Sequence, residues 1–378
     1  MNQSVGIRAL AVNFPEYILT NDHWKKNYPD LLLKLEQKSQ NVRLFDPDSQ
    51  ENKNWVQAVK PYREDIFRGT SERRILSGDE TSLTIECGAI EKVLQAAKLD
   101  INEVDLLISC AMFPERLAIG NATLIAQKLG FRGTTWNMNA TCGGALLSLD
   151  NAMALIQAQK LDRVLVSLSC NYSKHIEYTN SFSFTLGDGA AAFIVEKVKT
   201  GEGLLHSYST NTYDTCDVVY PKFTVDGNGN PKLLITVNKE TVKYATSLFI
   251  KYFQECCTKV LEKSRIQVED IDFFIFYPPS AGYVNFCALE LNIPQHKTID
   301  MFPQYGNISV VSAIAALYHA AEQKKIQKDD LVMIYSHGFS GSSIASIMRW
   351  GDVELGLPPA TSRGLAEAIV GLKGVAQY

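Results

Sequence analysis

The sequence contains an internal repeat, which limits the chain to folds built from two similar halves. "EKVLQAAKLDINEVDLLIS", beginning at Glu91, matches "TKVLEKSRIQVEDIDFFIF", beginning at Thr258, so the offset is 258 − 91 = 167. The same offset brings "RVLVSLSC" onto "DLVMIYSH" and Cys142 onto Ser309. Because one shift aligns three separated blocks, the repeat indicates a duplication.

Each half is predicted to alternate amphipathic helices with buried strands. The helices have apolar residues at i, i+3 and i+4, and the strands are short apolar runs with few charges. The predicted elements are helices 80–98 and 143–159 with strands 104–110 and 163–169, then helices 240–263 and 309–324 with strands 271–277 and 330–336. This order predicts α/β halves whose sheets are covered by helices on both faces.

The pattern divides the chain into a first half, 1–200, a second half, 201–350, and a tail, 351–378. Residues 27–66 are polar, have no counterpart in the repeat and are interpreted as an insertion or cap. "DGNGNPK", in the segment that joins the halves, is typical of a polar turn or a hairpin tip.

The composition excludes several classes of function. With 378 residues, of which 46% are hydrophobic and 21% charged, the chain has the profile of a soluble globular protein. A net charge of −4 makes nucleic acid an unsuitable partner. We expect a cytoplasmic protein without a membrane span, since no apolar run is long enough and the first residues lack a signal-peptide pattern. None of the eight cysteines forms a CxxC pair, so no metal site is predicted.

Cys142 is the first candidate for chemistry. "TTWNMNATCGGALLSLDNAMALIQ" is interpreted as a strand (134–140), a tight turn at Cys142, two glycines and a helix. The N-terminus of a helix stabilises a thiolate, and a thiolate there can attack a thioester. The alternative is a small residue that merely fills the turn.

Three further turns are candidates for the same site. Asp188, in "LGDG", is interpreted as a structural residue that accepts bonds from backbone amides. Asn307, in "YGNISVVS", is either the cap of a helix or an amide directed into the cleft between the halves. The turn "GFSG" (338–341) has backbone N–H groups that could donate to an oxyanion.

Taken together, these motifs resemble the β-ketoacyl-acyl-carrier-protein synthase III group of the thiolase superfamily. The order is "TSERRIL", "TCGGA", "LGDGAAA", a strand ending in "FIFY", "YGNISVVS" and "GFSG". The likeness covers about residues 4–26 and 68–349. It implies a five-layered α/β/α/β/α fold, a homodimer, and acyl transfer from coenzyme A or carrier-protein thioesters without a further cofactor.

The resemblance also implies roles for individual residues. Cys142 would be the acylated nucleophile, and Asn307 would hold the thioester carbonyl of the second substrate. The backbone N–H groups of Cys142 and Gly341 would form the oxyanion hole. The walls of the site would include three further residues, Gly306, Gly338 and Phe339.

The sequence departs from this family at Tyr277, which aligns with the family's catalytic histidine. A phenol can donate a hydrogen bond, but its pKa near 10 makes it a poor proton carrier at pH 7. Decarboxylative condensation is therefore in greater doubt than acylation of Cys142. We predict that Tyr277 faces Cys142, and we consider His337, just before "GFSG", as a substitute catalytic histidine, although a structural role for it is the simpler interpretation.

Three functions remain open. The first is an acyltransferase of a specialised biosynthetic pathway that forms a C–C, ester or amide bond. The second is a synthase-like subunit that supports a homologous partner, and the third is an ordinary malonyl-dependent synthase III with Tyr277 in place of histidine. A carrier protein is the favoured acyl donor, because contacts for coenzyme A are not recognisable near the start of the chain.

Overall fold

A computed structural model describes residues 3–39, 53–225, 229–238 and 240–359 of the chain. The strands in these residues are β1 (Val5–Asn13), β2 (Ile18–Thr20), β3 (Glu72–Arg74), β4 (Leu106–Ala111), β5 (Thr134–Asn137), β6 (Arg163–Asn171), β7 (Asp188–Lys197), β8 (Gly203–Asn211), β9 (Val219–Val225), β10 (Pro231–Val237), β11 (Phe273–Phe276), β12 (Leu331–His337), β13 (Ser342–Arg349) and β14 (Glu354–Leu355). The α-helices are α1 (Asp22–Asn27), α2 (Pro29–Ser39), α3 (Lys53–Val59), α4 (Ser82–Ala97), α5 (Ala122–Leu129), α6 (Gly144–Gln157), α7 (Ala245–Ser264), α8 (Tyr283–Glu290), α9 (Phe302–Tyr305) and α10 (Ser312–Glu322).

Two mixed sheets form the centre of the molecule. The first has the strand order β14-β1-β7-β6-β4-β5, and the second has the order β11-β12-β13-β8. β4 is parallel to β5 and β6, and β11 is parallel to β12, whereas β7 and β13 are antiparallel to their neighbours. Each half therefore combines a parallel βαβ unit with antiparallel strands.

Three apolar clusters fill the spaces between helices and sheets. α4 packs on one face of the first sheet, and α7 and α8 pack on the outer face of the second. Between the sheets lie α6 and α10, whose buried side chains share one cluster with residues of both sheets. The layers are thus helix, sheet, helix, sheet, helix, which confirms the predicted five-layered fold.

The duplication is visible in the elements, with a small change of offset. β4 begins at Leu106 and β11 at Phe273, which is the offset that the sequence predicts. The later elements need one position more, because α6 begins at Gly144 and α10 at Ser312, and β6 begins at Arg163 and β12 at Leu331. The offset of 167 inferred from the sequence is therefore correct for β4 and β11, and it becomes 168 (312 − 144) for the elements that follow them.

The segments outside the repeat pack against the two halves. In the predicted insertion, α3 contacts α8, and the Asn54 side chain donates to Glu290 Oε2 at 2.9 Å. Residues 40–52 of this insertion lie outside the described residues. In the tail, β14 extends the first sheet, and Tyr318 donates its hydroxyl to the Gly356 carbonyl at 2.9 Å. Residues 360–378 of the tail also lie outside the described part.

The joining segment contains the two strands of a hairpin. β9 and β10 form an antiparallel ribbon in which Val225 pairs with Pro231, as the hairpin interpretation expects, while residues 226–228 of "DGNGNPK" lie outside the described residues. In the part of the chain that the structure describes, no helix is both long and apolar enough to cross a bilayer.

Candidate active site

Cys142 lies in a tight turn between a strand and a helix, as the sequence predicts. The strand β5 leads to a 3-10 turn, Thr141–Gly143, and α6 begins at Gly144. Only 5% of Cys142 is exposed, and this burial raises the pKa of its thiol above the ordinary value of 9.0. Hydrogen bonds to the thiolate act in the opposite direction. The reactivity of Cys142 therefore depends on the donors around its sulfur atom.

The backbone of this turn is strained. Thr141 has a φ of 49°, which is rare for a β-branched residue. The turn is held from the other half, because a Cβ at Gly341 would lie 2.6 Å from Thr141 Oγ1 and 2.9 Å from the Ala140 carbonyl oxygen. The glycines of "GFSG" are thus required for close packing against the Cys142 turn.

Tyr277 faces Cys142, which confirms the predicted placement. Its hydroxyl lies 3.3 Å from the Cys142 Sγ, and its backbone N–H donates to the Tyr335 carbonyl at 2.9 Å, where β11 ends. Burial is the main cause that raises the pKa of Tyr277 well above 10.0, so the phenol keeps its proton at neutral pH. It can donate a hydrogen bond, but it does not titrate in the physiological range.

Asn307 combines the two roles that the sequence left open. Its Oδ1 accepts the backbone N–H of Ser309 at 2.8 Å, which is the geometry of a cap for the 3-10 turn Ser309–Val311. Its side chain also interacts with the Tyr277 hydroxyl and lowers the pKa of that phenol, against the larger effect of burial. The main chain of Asn307 is fixed by a bond from its N–H to the Thr185 carbonyl at 2.7 Å. Asn307 and Tyr277 therefore form one group next to Cys142.

Two residues of the site were not predicted. Ser309 Oγ lies 3.2 Å from Cys142 Sγ, and the Tyr172 side chain interacts with Cys142 and lowers the pKa of its thiol. The repeat contains a signal for Ser309, because the offset of 167 aligns this serine with Cys142. In the structure the offset is one position larger, and the residue equivalent to Ser309 is Thr141, at the start of the first 3-10 turn. For Tyr172, no local pattern distinguishes it from a tyrosine that ends a strand.

His337 does not lie with these residues, and its consideration as a catalytic histidine is corrected. Successive side chains of β12 point to opposite faces of the sheet. Ser336 faces Cys142 and donates its hydroxyl to the Cys142 carbonyl at 2.7 Å. His337 therefore faces the layer of α7, where its ring lies 4.4 Å from that of Phe249 and its Nδ1 lies 2.6 Å from Ser343 Oγ. Burial lowers the pKa of His337 to about 3, so it remains neutral.

The turn after β12 also differs from the expectation. The Phe339 ring packs 4.9 Å from Phe249, on the α7 side, instead of forming a wall at Cys142. The N–H of Gly341 donates to Thr212 Oγ1 at 3.2 Å, so this donor is already bonded and the implied oxyanion hole is not formed here. Gly338 likewise donates its N–H to the Ser342 carbonyl at 3.1 Å.

The remaining predicted positions support the site from behind. Gly306 has a φ of 64°, and a Cβ there would lie 2.6 Å from the Thr185 carbonyl oxygen. Asp188 is fully buried and accepts the N–H groups of Leu76 at 2.7 Å and Ser173 at 2.9 Å. This agrees with the structural interpretation of Asp188, although burial raises its pKa to about 6. Both residues fix segments adjoining Asn307.

The fold and this cysteine turn define a protein of the thiolase-like class, and comparison with known proteins narrows the class. The family model described as 3-oxoacyl-[acyl-carrier-protein] synthase III matches residues 136–212, and the model of its C-terminal part matches residues 261–350. The chain is therefore similar to 3-oxoacyl-[acyl-carrier-protein] synthase III over these two segments, and its fold is thiolase-like.

Individual relatives agree with this assignment. The chain is 28% identical over 290 residues to β-ketoacyl-[acyl-carrier-protein] synthase III of Chelativorans sp., covering 75% of this chain and 88% of that protein. It is 26% identical over 279 residues to the synthase III of Aquifex aeolicus, covering 71% and 84%.

Solved structures show the same fold. The crystal structure of Aquifex aeolicus 3-oxoacyl-[acyl-carrier-protein] synthase III superposes with a TM-score of 0.72 at 24% identity, covering 92% of this chain and all of that one. Xanthomonas campestris OleA with bound lauric acid and lauroyl-CoA superposes with a TM-score of 0.72 at 17% identity, covering 93% and 100%.

Proposed function

We propose that this chain is a ketosynthase III-type acyltransferase that uses Cys142 as its nucleophile. The observation that carries the proposal is the 3.3 Å contact of Cys142 Sγ with the Tyr277 hydroxyl. Asn307 belongs to the same group, because it holds the main chain of Ser309, whose hydroxyl also contacts Cys142 Sγ. These groups combine a nucleophile with two neutral donors at the start of α6. The acyl group is then passed to a second substrate, whose carbonyl the donors polarise.

The first step is balanced without an external base. Cys142 Sγ forms a bond to the thioester carbonyl carbon, the bond from that carbon to the donor sulfur breaks, and the thiol proton ends on the departing thiol. Either coenzyme A or the phosphopantetheine arm of an acyl-carrier protein can be that departing group. The names of the relatives support the carrier protein, and the OleA structure with lauroyl-CoA supports coenzyme A.

The second step relies on hydrogen-bond donation. A developing negative charge on a carbonyl oxygen is stabilised by fixed donors in a buried site. The Tyr277 phenol and the Asn307 amide satisfy that requirement, whereas neither carries a proton away at pH 7. This arrangement suits a second substrate that forms a C–C bond through a stabilised carbanion, or an alcohol or amine acceptor in a specialised biosynthetic pathway.

The free edge of the first sheet supports the homodimer. Among the described strands β5 pairs with β4 alone, and it leads directly to the Cys142 turn. Trp136 on β5 is 39% exposed, and Leu117 and Ile119 in the adjoining loop are 63% and 48% exposed. Asn137 holds this loop on β5 by donating to the Ile119 carbonyl at 2.8 Å. An exposed edge strand with apolar residues is suited to pairing with a second copy of the chain.

The experiment that tests the proposal is intact-protein mass spectrometry with a panel of acyl thioesters, on coenzyme A and on carrier protein. We expect a mass increase equal to one acyl group in the native chain and none in Cys142→Ala. The acyl length with the fastest gain identifies the donor. No adduct with any donor would contradict the proposal and favour a subunit that supports a homologous partner.

The second step is tested by adding one acceptor at a time to the acylated chain: a malonyl thioester, an alcohol, an amine or a β-keto thioester. Carbon dioxide release from the malonyl thioester would identify the ordinary synthase III reaction with Tyr277 in place of histidine. Transfer of the acyl group to one of the other acceptors, without decarboxylation, would identify the specialised reaction.

A further inference from the structure

The sulfur atom of Cys142 is surrounded by hydroxyl groups. The hydroxyls of Ser309 and Tyr277 lie 3.2 and 3.3 Å from it, and the Tyr172 phenol interacts with it as well. Ser309 is fully buried, so its contact with the thiol is shielded from water. The thiol partners therefore come from both halves of the fold, and all three are neutral O–H groups.

The backbone of Ser309 indicates that its position is imposed by the surrounding structure. Its φ of 51° lies in the left-handed region, which a serine occupies at a cost in conformational energy. The bond from its N–H to Asn307 Oδ1 at 2.8 Å holds that conformation. Thr141, at the matching place of the first 3-10 turn, has nearly the same φ of 49°. In both halves a strained residue therefore lies next to the nucleophile.

The ionisable side chains that interact with Cys142 are uncharged at neutral pH. Burial raises the pKa of Cys110 to about 12 and that of Cys170 well above 9.0. It also raises the pKa values of Tyr172 and Tyr277 well above 10.0. The thiolate of Cys142 is thus stabilised by hydrogen bonds among these neighbours, and none of the four supplies a positive charge.

We propose that Ser309 activates Cys142 by donating a hydrogen bond to its thiolate, with the Tyr172 phenol assisting it, in the role that a cationic partner has in other cysteine nucleophiles. The proposal deepens the proposed function, because it names the residues that prepare the nucleophile for its first step. Ser309 acts through its hydroxyl, and Asn307 acts as a positioning residue that fixes the main chain of Ser309. In the reaction, the hydroxyls keep their own protons while the thiol proton passes to the departing thiol.

The test is a titration of the thiolate by its ultraviolet absorbance, from about pH 7 to about pH 11.5, with Cys142→Ala subtracted as the blank. The variants are Ser309→Ala, Ser309→Gly and Tyr172→Phe. Ser148→Ala is the matched control, since Ser148 is a buried serine on α6 whose hydroxyl has no hydrogen-bond partner among the described residues. The midpoint of thermal unfolding is measured for each variant.

Loss of either hydroxyl is expected to raise the Cys142 pKa by about one unit, a tenfold decrease in thiolate at pH 7. Ser148→Ala is expected to leave it unchanged. Ser309→Gly separates activation from folding, because glycine relieves the backbone strain at this φ: its unfolding midpoint should rise while its thiolate fraction falls.

An unchanged thiol titration in both Ser309 variants would overturn the proposal. The titration needs no substrate, so it remains readable if no thioester acylates the chain. A failure of the proposed function is thereby distinguished from a failure of this inference. If Ser309→Ala does not fold, Ser309→Gly and Tyr172→Phe decide the outcome.

Discussion

Ser309 Oγ and Cys142 Sγ lie 3.2 Å apart, although 167 positions separate the two residues in the chain. They meet because the fold places two equivalent 3-10 turns, Thr141–Gly143 and Ser309–Val311, against each other between the sheets. The two equivalent turns therefore have different roles. The first contains the nucleophile, and the second contributes the Ser309 hydroxyl and, just before it, the Asn307 amide that we propose to donate to the substrate carbonyl. The proposed active site thus lies where the two halves meet.

The first prediction separates the two steps of the reaction. Tyr277→Phe should lower the rate of acyl transfer to the second substrate about a hundredfold, because it removes one donor to the developing oxyanion. Acylation of Cys142 should fall less than about tenfold, since the Ser309 hydroxyl still lies 3.2 Å from the sulfur atom. Single-turnover mass spectrometry measures both rates.

Tyr305→Phe is the control for this variant, because Tyr305 is a buried tyrosine whose hydroxyl lies 3.0 Å from His319 Nε2. Both rates should be unchanged in it. Equal losses in both steps of Tyr277→Phe would show that the phenol serves folding or activation of the thiol and not the second substrate.

The second prediction concerns pH. Burial raises the pKa of the Cys142 thiol above its usual range, so the thiolate fraction and the acylation rate should increase with pH through neutrality. The pKa of Tyr277 is raised well above 10.0, and the donor would be lost only as pH rises past that value. Transfer from chain acylated beforehand should therefore be flat between about pH 6.5 and about pH 9.

Tyr277→His provides the comparison, because an imidazole titrates near pH 6.5 and should introduce an inflection in the transfer rate. The measurement is the rate of deacylation by the acceptor at each pH. An inflection near neutrality in the native chain would point to a titrating group that the described site does not contain.

The overall fold could be predicted because apolar periodicity indicates which faces of the helices and strands are buried, and the repeat indicates two similar halves. The helix at Cys142 was predicted at 143–159 and is observed as Gly144–Gln157. The placement of Tyr277 follows from its position at the end of a buried strand and from its alignment with the family's histidine. These features depend on local pattern, which the sequence displays.

The errors and omissions have a different origin. His337 is a candidate from sequence because it precedes the glycine turn. Neighbouring side chains of β12 point to opposite faces of the sheet, so a difference of one position decides whether a residue faces Cys142, as Ser336 does, or α7, as His337 does. Tyr172 lies close to Cys142 because it directly follows β6, and β6 packs against the Ser309–Val311 turn that faces Cys142. Such contacts arise from the approach of distant segments, and spacing along the chain does not encode them.

A third prediction concerns the free edge at β5. Trp136→Lys places a charge on an exposed apolar strand that we propose to pair with a second copy. The native chain should sediment as a dimer and the variant as a monomer. Tyr213→Lys is the control, since Tyr213 is 73% exposed and lies outside β5. A native chain that is monomeric at micromolar concentration would contradict the proposed interface.

The last prediction tests the packing of the "GFSG" turn on the nucleophile turn. A Cβ at Gly341 would lie 2.6 Å from Thr141 Oγ1 and 2.9 Å from the Ala140 carbonyl oxygen, and the second contact involves backbone that cannot rotate away. Gly341→Ala should therefore reduce the free energy of unfolding by about 1–3 kcal/mol and displace Cys142 from its hydroxyl partners. Denaturant unfolding and the thiolate titration measure the two effects.

The double variant Thr141→Ala with Gly341→Ala removes the nearer of the two contacts. It should recover part of the lost stability, because the Ala140 carbonyl contact remains. Recovery of the thiolate titration in the same variant would show that the turn transmits the strain to Cys142. If Gly341→Ala alone leaves both stability and titration unchanged, the glycine is not required for this approach, and the strained turn is held by other contacts of the second half.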